Sequence, residues 1–210
     1  MGPSLHIEEC LQPVADGVKI WGFVHDKTTS MTSFRQNLAM ILATMIMFGA
    51  ALLINELLFK QLEFAEGINW IYLPAGVRLL ATLLFAEAGA IGLLAISWLY
   101  CFTILFPHEP VRAFMGGILA SAAPYLVYLG ARRWLDLKGS LANLAAWQVL
   151  ACAVAYSVAS PLLHHIWFAV YEGRSHLLGS FAVMALGDLV GTVLLLFFTK
   201  WVMRLSTPRA

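Results

Sequence analysis

A bundle of membrane-spanning helices is the fold this sequence predicts, and three observations predict it. Apolar residues make up 60% of the 210 and charged residues only 12%, about half the usual charged share of ~25%. A soluble domain of this size has too little interior to hide so many apolar side chains. The apolar residues also come in long continuous runs, which argue for helices rather than for the alternating pattern of membrane strands. The class is therefore all-α: a polytopic integral membrane helical bundle of about six transmembrane helices.

Six segments carry that count. The first is Asn37–Phe59, ending in Asn55-Glu56. The second, Ile68–Phe85, contains Pro74, Gly76 and Arg78. The third is Ala88–Phe106, stopped by Pro107. The fourth, Val111–Leu129, carries Gly116-Gly117 and Pro124. The fifth runs from near Leu141 to Val170, with Pro161 and His164-His165 in its last third. The sixth is His176–Leu205. Most supply the ~20 residues that cross ~30 Å of hydrocarbon; the second, with 18, is marginal. Glu87 falls at a tight turn between the second and third. The domain layout expected is an extramembrane arm at 1–35 (Met31 is an alternative start), one transmembrane domain at 36–206 and a tail at 207–210.

Lys and Arg set the orientation. Nine of them (Lys19, Lys27, Arg35, Arg132, Arg133, Lys138, Lys200, Arg204, Arg209) flank one side, against Lys60, Arg112 and Arg174 on the other. Both termini are expected in the cytoplasm. Trp70, Tyr72, Trp134, Trp167, Tyr171 and Trp201 lie near segment ends, where amphipathic rings anchor at headgroups. A net charge of +1 gives no basic field for nucleic acid. Cys10, Cys101 and Cys152 form no pair, so no disulfide or zinc site is expected. The sequence names no cofactor. The lipid bilayer is the one partner that composition implies.

Polar groups inside a bilayer are costly and mark functional sites. Arg78 is the one Lys or Arg well inside a segment. Pro74 suits a first helical turn, and Gly76 admits another backbone. Asp188, in Gly187-Asp188-Leu189-Val190-Gly191, is the natural counter-ion, with Glu56 as a second partner. Two readings stand: a structural ion pair that fixes helix order, or a site where Arg78 holds a small anionic ligand. Gly187 and Gly191 allow close helix contact. His164 and His165 point in different directions on a helix, so they do not chelate one metal. They belong near the outer surface, with a pH-sensing role as the sharper alternative. Asn143, Gln148, Ser157 and Ser160 are expected to bond between helices. No GxSxG, HExxH or Walker pattern occurs, so a non-enzymatic role is expected.

Leu73-Pro74-Ala75-Gly76-Val77-Arg78, the small-residue stretch to Gly92, and Gly187-Asp188-Leu189-Val190-Gly191 together resemble the first type of membrane-associated sensor (MASE) domain, over about residues 37–205. That family shows an aromatic-Pro-Pro-Ala-Gly stretch in an early helix and a Gly-Asp-x-x-Gly stretch in a late one. The resemblance implies a bacterial inner-membrane sensory module that takes small ligands. Leu73 stands where the family has its first proline, six segments stand where it often has eight, and no output domain follows Arg204. The expected role is thus a sensory or interaction module read by a separate membrane or cytoplasmic protein at Arg132, Arg133, Lys138 or the N-terminal arm. A small-solute transporter or its binding subunit, and an accessory subunit of a larger complex, are the alternatives.

Overall fold

The computed structural model describes residues 12–65, 67–135, 137, 145–173 and 177–206, with side chains from Ser33 onward except Met203 and Ser206. Five long helices dominate: α1 (Gln12–Phe59), α2 (Leu73–Tyr100), α3 (Pro110–Trp134), α4 (Ala146–Val170) and α5 (Leu177–Ser206). All five contain stretches long and apolar enough to cross a membrane, so the chain is a multi-pass helical membrane protein by length and composition. The chain divides into two units, residues 1–39 and 40–210. Within the first, helix begins at Gln12. The expected arm at 1–35 is therefore helical from that residue on, and Met31 falls inside α1. The second unit holds the core and the candidate site.

The expected second and third segments share one helical element, α2, which is broken at Ala86 (φ 51, ψ −125). No glycine or proline marks the break. Side-chain geometry shows what it does. A Cβ placed on Gly89 would run into the carbonyl of Ala81. In an unbroken helix, residues eight apart are separated by ~12 Å along the axis. Contact between them requires the chain to fold back at Ala86. Val77, Ala81 and Leu93 accordingly meet in one cluster with Phe48 and Ala51 of α1. Glu87, expected at this turn, is exposed there, 3.8 Å from Arg132. A second cluster joins Leu79 and Leu83 to Ala123 and Tyr128 of α3 and to Cys152, Ala153 and Tyr156 of α4. Small residues at these contacts allow the close approach on which helix association in lipid depends.

The stretch before α2 departs from the expected all-helical course. Helix does not start at Ile68 but at Leu73, with Pro74 in the first turn. Upstream lie a 3-10 turn (Lys60–Leu62) and a short antiparallel hairpin, β1 (Glu63–Ala65) and β2 (Ile68–Asn69). Gly67, at φ 77, supplies the left-handed backbone that the tight connection requires. The hairpin segment packs along α5 rather than standing clear of it. A Cβ on Gly187 would strike the Asn69 carbonyl, and one on Gly191 the Tyr72 carbonyl. Gly187 is the tenth residue after Leu177, ~15 Å down the helix. Non-helical backbone at such a depth must satisfy its own polar groups, and here it does. Trp70 N–H donates to Leu62 O (3.0 Å) and Tyr72 N–H to Gly187 O (3.1 Å). Leu73 N–H donates to Asn55 Oδ1 (2.9 Å). The first half of α2, Leu73–Phe85, is consequently only ~20 Å long.

The remaining elements differ at their ends. After Tyr100 a π-turn, Cys101–Leu105, carries the chain to Pro107. Lys138, residues 141–144, Arg174, His176 and the expected tail at 207–210 lie outside the described residues, and α4 begins at Ala146. Pro124 and Pro161 are each inside a helix, which forfeits one backbone bond. The Pro124 carbonyl accepts from Thr82 Oγ1 (3.2 Å), tying α3 to α2.

Candidate functional site

The second unit encloses a cavity of about 120 Å³ between α1, the hairpin, both halves of α2, α3, α4 and α5. Arg78 and Asp188 both line it, with Glu56, His164 and the backbone-bearing Tyr72, Ile68 and Asn69. Four of the residues singled out by sequence, Arg78, Asp188, Glu56 and His164, therefore share one chamber. Their expected pairing is not what joins them.

Arg78 is 8% exposed and Asp188 1%, yet no ion pair links them. The guanidinium lies over two aromatic faces instead, 5.0 Å from the centre of the Phe48 ring and 5.3 Å from that of Tyr72. Its Nη2 donates to the Tyr72 hydroxyl at 3.3 Å. Aromatic faces stabilise a cation by ~0.5–2 kcal/mol, which partly replaces water but leaves the net charge in place. Tyr72 thus serves as a wall of the site, not as an interfacial anchor. The other expected counter-ion is also engaged elsewhere: Glu56, on the exposed rim, bonds Lys60 one turn on.

Several buried polar atoms have no hydrogen bond: Arg78 Nε, Asp188 Oδ2 and Ser97 Oγ on residues that line the cavity, and Tyr156 OH, Ser160 Oγ and Thr192 Oγ1 on buried residues outside its lining. Tyr156 stands next to Arg78, and Ser160 next to Asp188. Each neutral orphan costs ~1–3 kcal/mol and an uncompensated charge more. Sequence reasoning missed Tyr156, Thr192 and Ser97. A signal for the first existed: Tyr156, Ser160 and His164 are spaced four apart, so they share one face of α4.

The glycines act differently from expectation. Gly187 and Gly191 do not seat another helix; they admit the backbone of Asn69–Tyr72, because only a residue without Cβ lets a carbonyl come that close. Gly76 does make a helix contact, against Leu195 and Thr192 of α5. Among the other polar residues expected to bond between helices, Gln148 bonds the Ala145 N–H (2.7 Å) and Ser157 bonds Val154 O (2.9 Å), both within or next to α4. Each finds a local backbone partner first, a donor for Gln148 and an acceptor for Ser157. Asn143 lies outside the described residues.

The histidines diverge as their adjacency requires. His164 faces the cavity, with Nδ1 on Ser160 O (2.8 Å). His165 is buried against α5, with Nδ1 on Pro161 O (2.8 Å), Nε2 on Ser180 Oγ (3.0 Å), and the rings of Phe168 and Phe181 around it. It is a core link rather than a surface group. Arg112, also on the cavity wall, lies 3.1 Å from Glu172 and 4.1 Å above the Phe106 ring. No protein-family profile, no curated protein and no solved structure matches the chain.

Proposed function

We propose that this protein is a non-enzymatic membrane module that binds a small polar ligand in the cavity between Arg78 and Asp188 and passes the bound state to a separate protein partner. One observation carries the reading: two buried, oppositely charged side chains line one chamber without an ion pair between them, and one polar atom of each, Arg78 Nε and Asp188 Oδ2, has no hydrogen-bond partner. A purely structural pair would close to contact, because separated buried charges cost several kcal/mol each. The likeness to membrane-associated sensor domains supports the same reading. Of the residues that carry it, Asp188 lines this chamber, while Gly76 packs on α5 and Gly187 and Gly191 on the Asn69–Tyr72 backbone. In this reading the fold-back at Ala86 makes six crossings of the five helices. The Lys and Arg distribution supports both termini on the cytoplasmic side, with the rim residues Glu56, Glu63 and Arg112 on the opposite face, and the sensor-domain likeness supports a bacterial inner membrane. Arg132 and Arg133, at the end of α3, form the cytoplasmic contact for the partner.

The test is purification from the native membrane in nanodiscs, with mass spectrometry of every protein and small molecule retained. A polar small molecule present with the native chain and lost in Arg78→Ala supports the proposal, as does a stoichiometric partner protein. A chain that releases no small molecule from either form, and whose melting no charged or polar metabolite shifts, overturns it. Uptake of a solute by liposomes holding this chain alone reassigns it to a carrier. Single-cysteine labelling at Glu87 and at Glu109 from the two sides reports the crossing count: opposite sides are expected, and labelling from the same side removes the sixth crossing.

A further inference from the structure

On the reading that this cavity takes a small polar ligand, we infer that the ligand is a small zwitterion, of the size of an amino acid or its N-methylated form, with its carboxylate on Arg78 and its ammonium on Asp188. Size sets the first limit. A cavity of about 120 Å³ is well above the ~10–15 Å³ that a single water needs, and its scale suits a molecule of the size of a small amino acid.

Charge sets the second. Two arginines and three carboxylates line the chamber: Arg78 and Arg112, against Glu56, Glu63 and Asp188. Glu56 is already paired with Lys60 and Arg112 with Glu172, so a simple anion would meet Arg78 but leave Asp188 uncompensated beside it at low dielectric. A simple cation would meet Asp188 but face Arg78. A neutral molecule would leave both buried charges uncompensated. A zwitterion supplies each with its opposite and leaves the net charge of the site unchanged. The open atoms match this demand. Arg78 offers an unpartnered Nε–H donor, Asp188 an unpartnered Oδ2 acceptor, and Ser97 a hydroxyl able to do either. Arg–carboxylate contacts are among the strongest hydrogen bonds available in such a setting.

The wall adds a third constraint. Tyr100, Trp167 and Phe168 line the cavity in addition to the two rings already stacked on Arg78. Aromatic faces of this kind receive alkylated ammonium groups, which widens the class from free amino acids to N-methylated ones.

The experiment uses the full chain in nanodiscs and five probes: glycine, L-proline and trimethylglycine as zwitterions, acetate as the anion alone, and tetramethylammonium as the cation alone. Binding is read by calorimetry at millimolar concentrations. We expect at least one zwitterion to bind about tenfold or more tighter than either single ion, and Arg78→Gln and Asp188→Asn each to weaken it by about tenfold or more. The comparison of probes on the unmodified chain decides the matter even where a variant does not fold. Acetate binding as tightly as the best zwitterion overturns the inference and leaves a small-ligand cavity standing. So does recovery of a non-zwitterionic molecule from the native protein with no zwitterion bound. No binding by any probe, with nothing recovered from the native protein, overturns both.

Discussion

Replacing Ala86 with glycine should stabilise the protein, and the sign of the effect is the informative quantity. Ala86 sits at φ 51, ψ −125, a combination that side chains with a Cβ rarely adopt and that stores about 1–3 kcal/mol. Glycine occupies it without steric cost but loses more backbone entropy on folding, by ~0.5–1 kcal/mol. The net expectation is a gain of about 1 kcal/mol, or a melting temperature higher by roughly 2–4 °C for a chain of this length. Were residues 73–100 one uninterrupted helix, the same substitution would cost ~1 kcal/mol through helix propensity, and melting would fall by a similar amount. The two geometries therefore predict opposite signs for one mutation. The assay is thermal unfolding of the full chain in a single detergent, followed by tryptophan fluorescence, with Ala86→Val as a control that should lower the midpoint. A lowered midpoint for Ala86→Gly, equal to that of an ordinary mid-helix glycine, would refute the fold-back at Ala86.

Other substitutions test the packing around the site. Gly191→Ala drives a Cβ into the Tyr72 carbonyl, whereas Gly179→Ala on the same helix meets nothing; the first should lose about 1–3 kcal/mol by overpacking and the second should melt within a degree or two of wild type, and equal midpoints for both would remove the backbone contact. Asn55→Ala strips the acceptor from the Leu73 N–H and should cost about 1–3 kcal/mol, while Asn55→Asp, which keeps an acceptor, should recover part of that loss in the same melting assay. Gly117→Leu forces the Trp98 indole off its place, where it stacks on Phe114 (ring centres 5.2 Å apart) and donates Nε1–H to Phe114 O (3.0 Å); a shifted tryptophan emission maximum with lowered yield of folded protein is expected, and an unchanged spectrum would contradict it.

The parts of this fold legible in the sequence are those that hydropathy controls. Leu, Ala, Val and Ile runs locate the apolar cores of the helices, because a bilayer accepts almost nothing else, but not all their bounds: α1 begins at Gln12 rather than Asn37. Arg78 and Asp188 stood out for the same reason, as ions where ions are costly. What was not legible depends on contacts rather than composition. Ile68 to Tyr72 reads as the start of an apolar helix, yet it forms a strand and an extended approach, because Gly187 and Gly191 open a slot for its backbone and Asn55 supplies the acceptor for Leu73. Neither condition is visible from residues 68–72 themselves. The expected ion pair failed for a related reason. Phe48 and Tyr72 cover the guanidinium, and a cation so covered has less to gain from a carboxylate across the chamber. The turn between the expected second and third segments was visible through Glu87, but the residue that carries the strained backbone is its neighbour Ala86, which bears no signal at all.

The glycine pair on α5 and the carboxylate between them act as one device. Gly187 and Gly191 are four apart and lie on one helix face, and Asp188 and Thr192 are displaced from them by one residue each, ~100° around the helix. The face that receives the Asn69–Tyr72 backbone is therefore flanked by the face that carries the acid and the hydroxyl. Close approach places Tyr72 by its main-chain bond to Gly187 (3.1 Å), and Tyr72 in turn holds Arg78 through its hydroxyl and ring. A methyl group at residue 187 would then act on both charges at once: it would push the strand outward, carry Tyr72 with it, and release the guanidinium from its seat, while Asp188 stayed where α5 holds it. If the chamber takes the proposed ligand, loss of stability and loss of its binding should accompany each other in Gly187→Ala. In Asp188→Asn, which leaves the backbone contact intact, they should separate, with binding lost and melting little changed or raised.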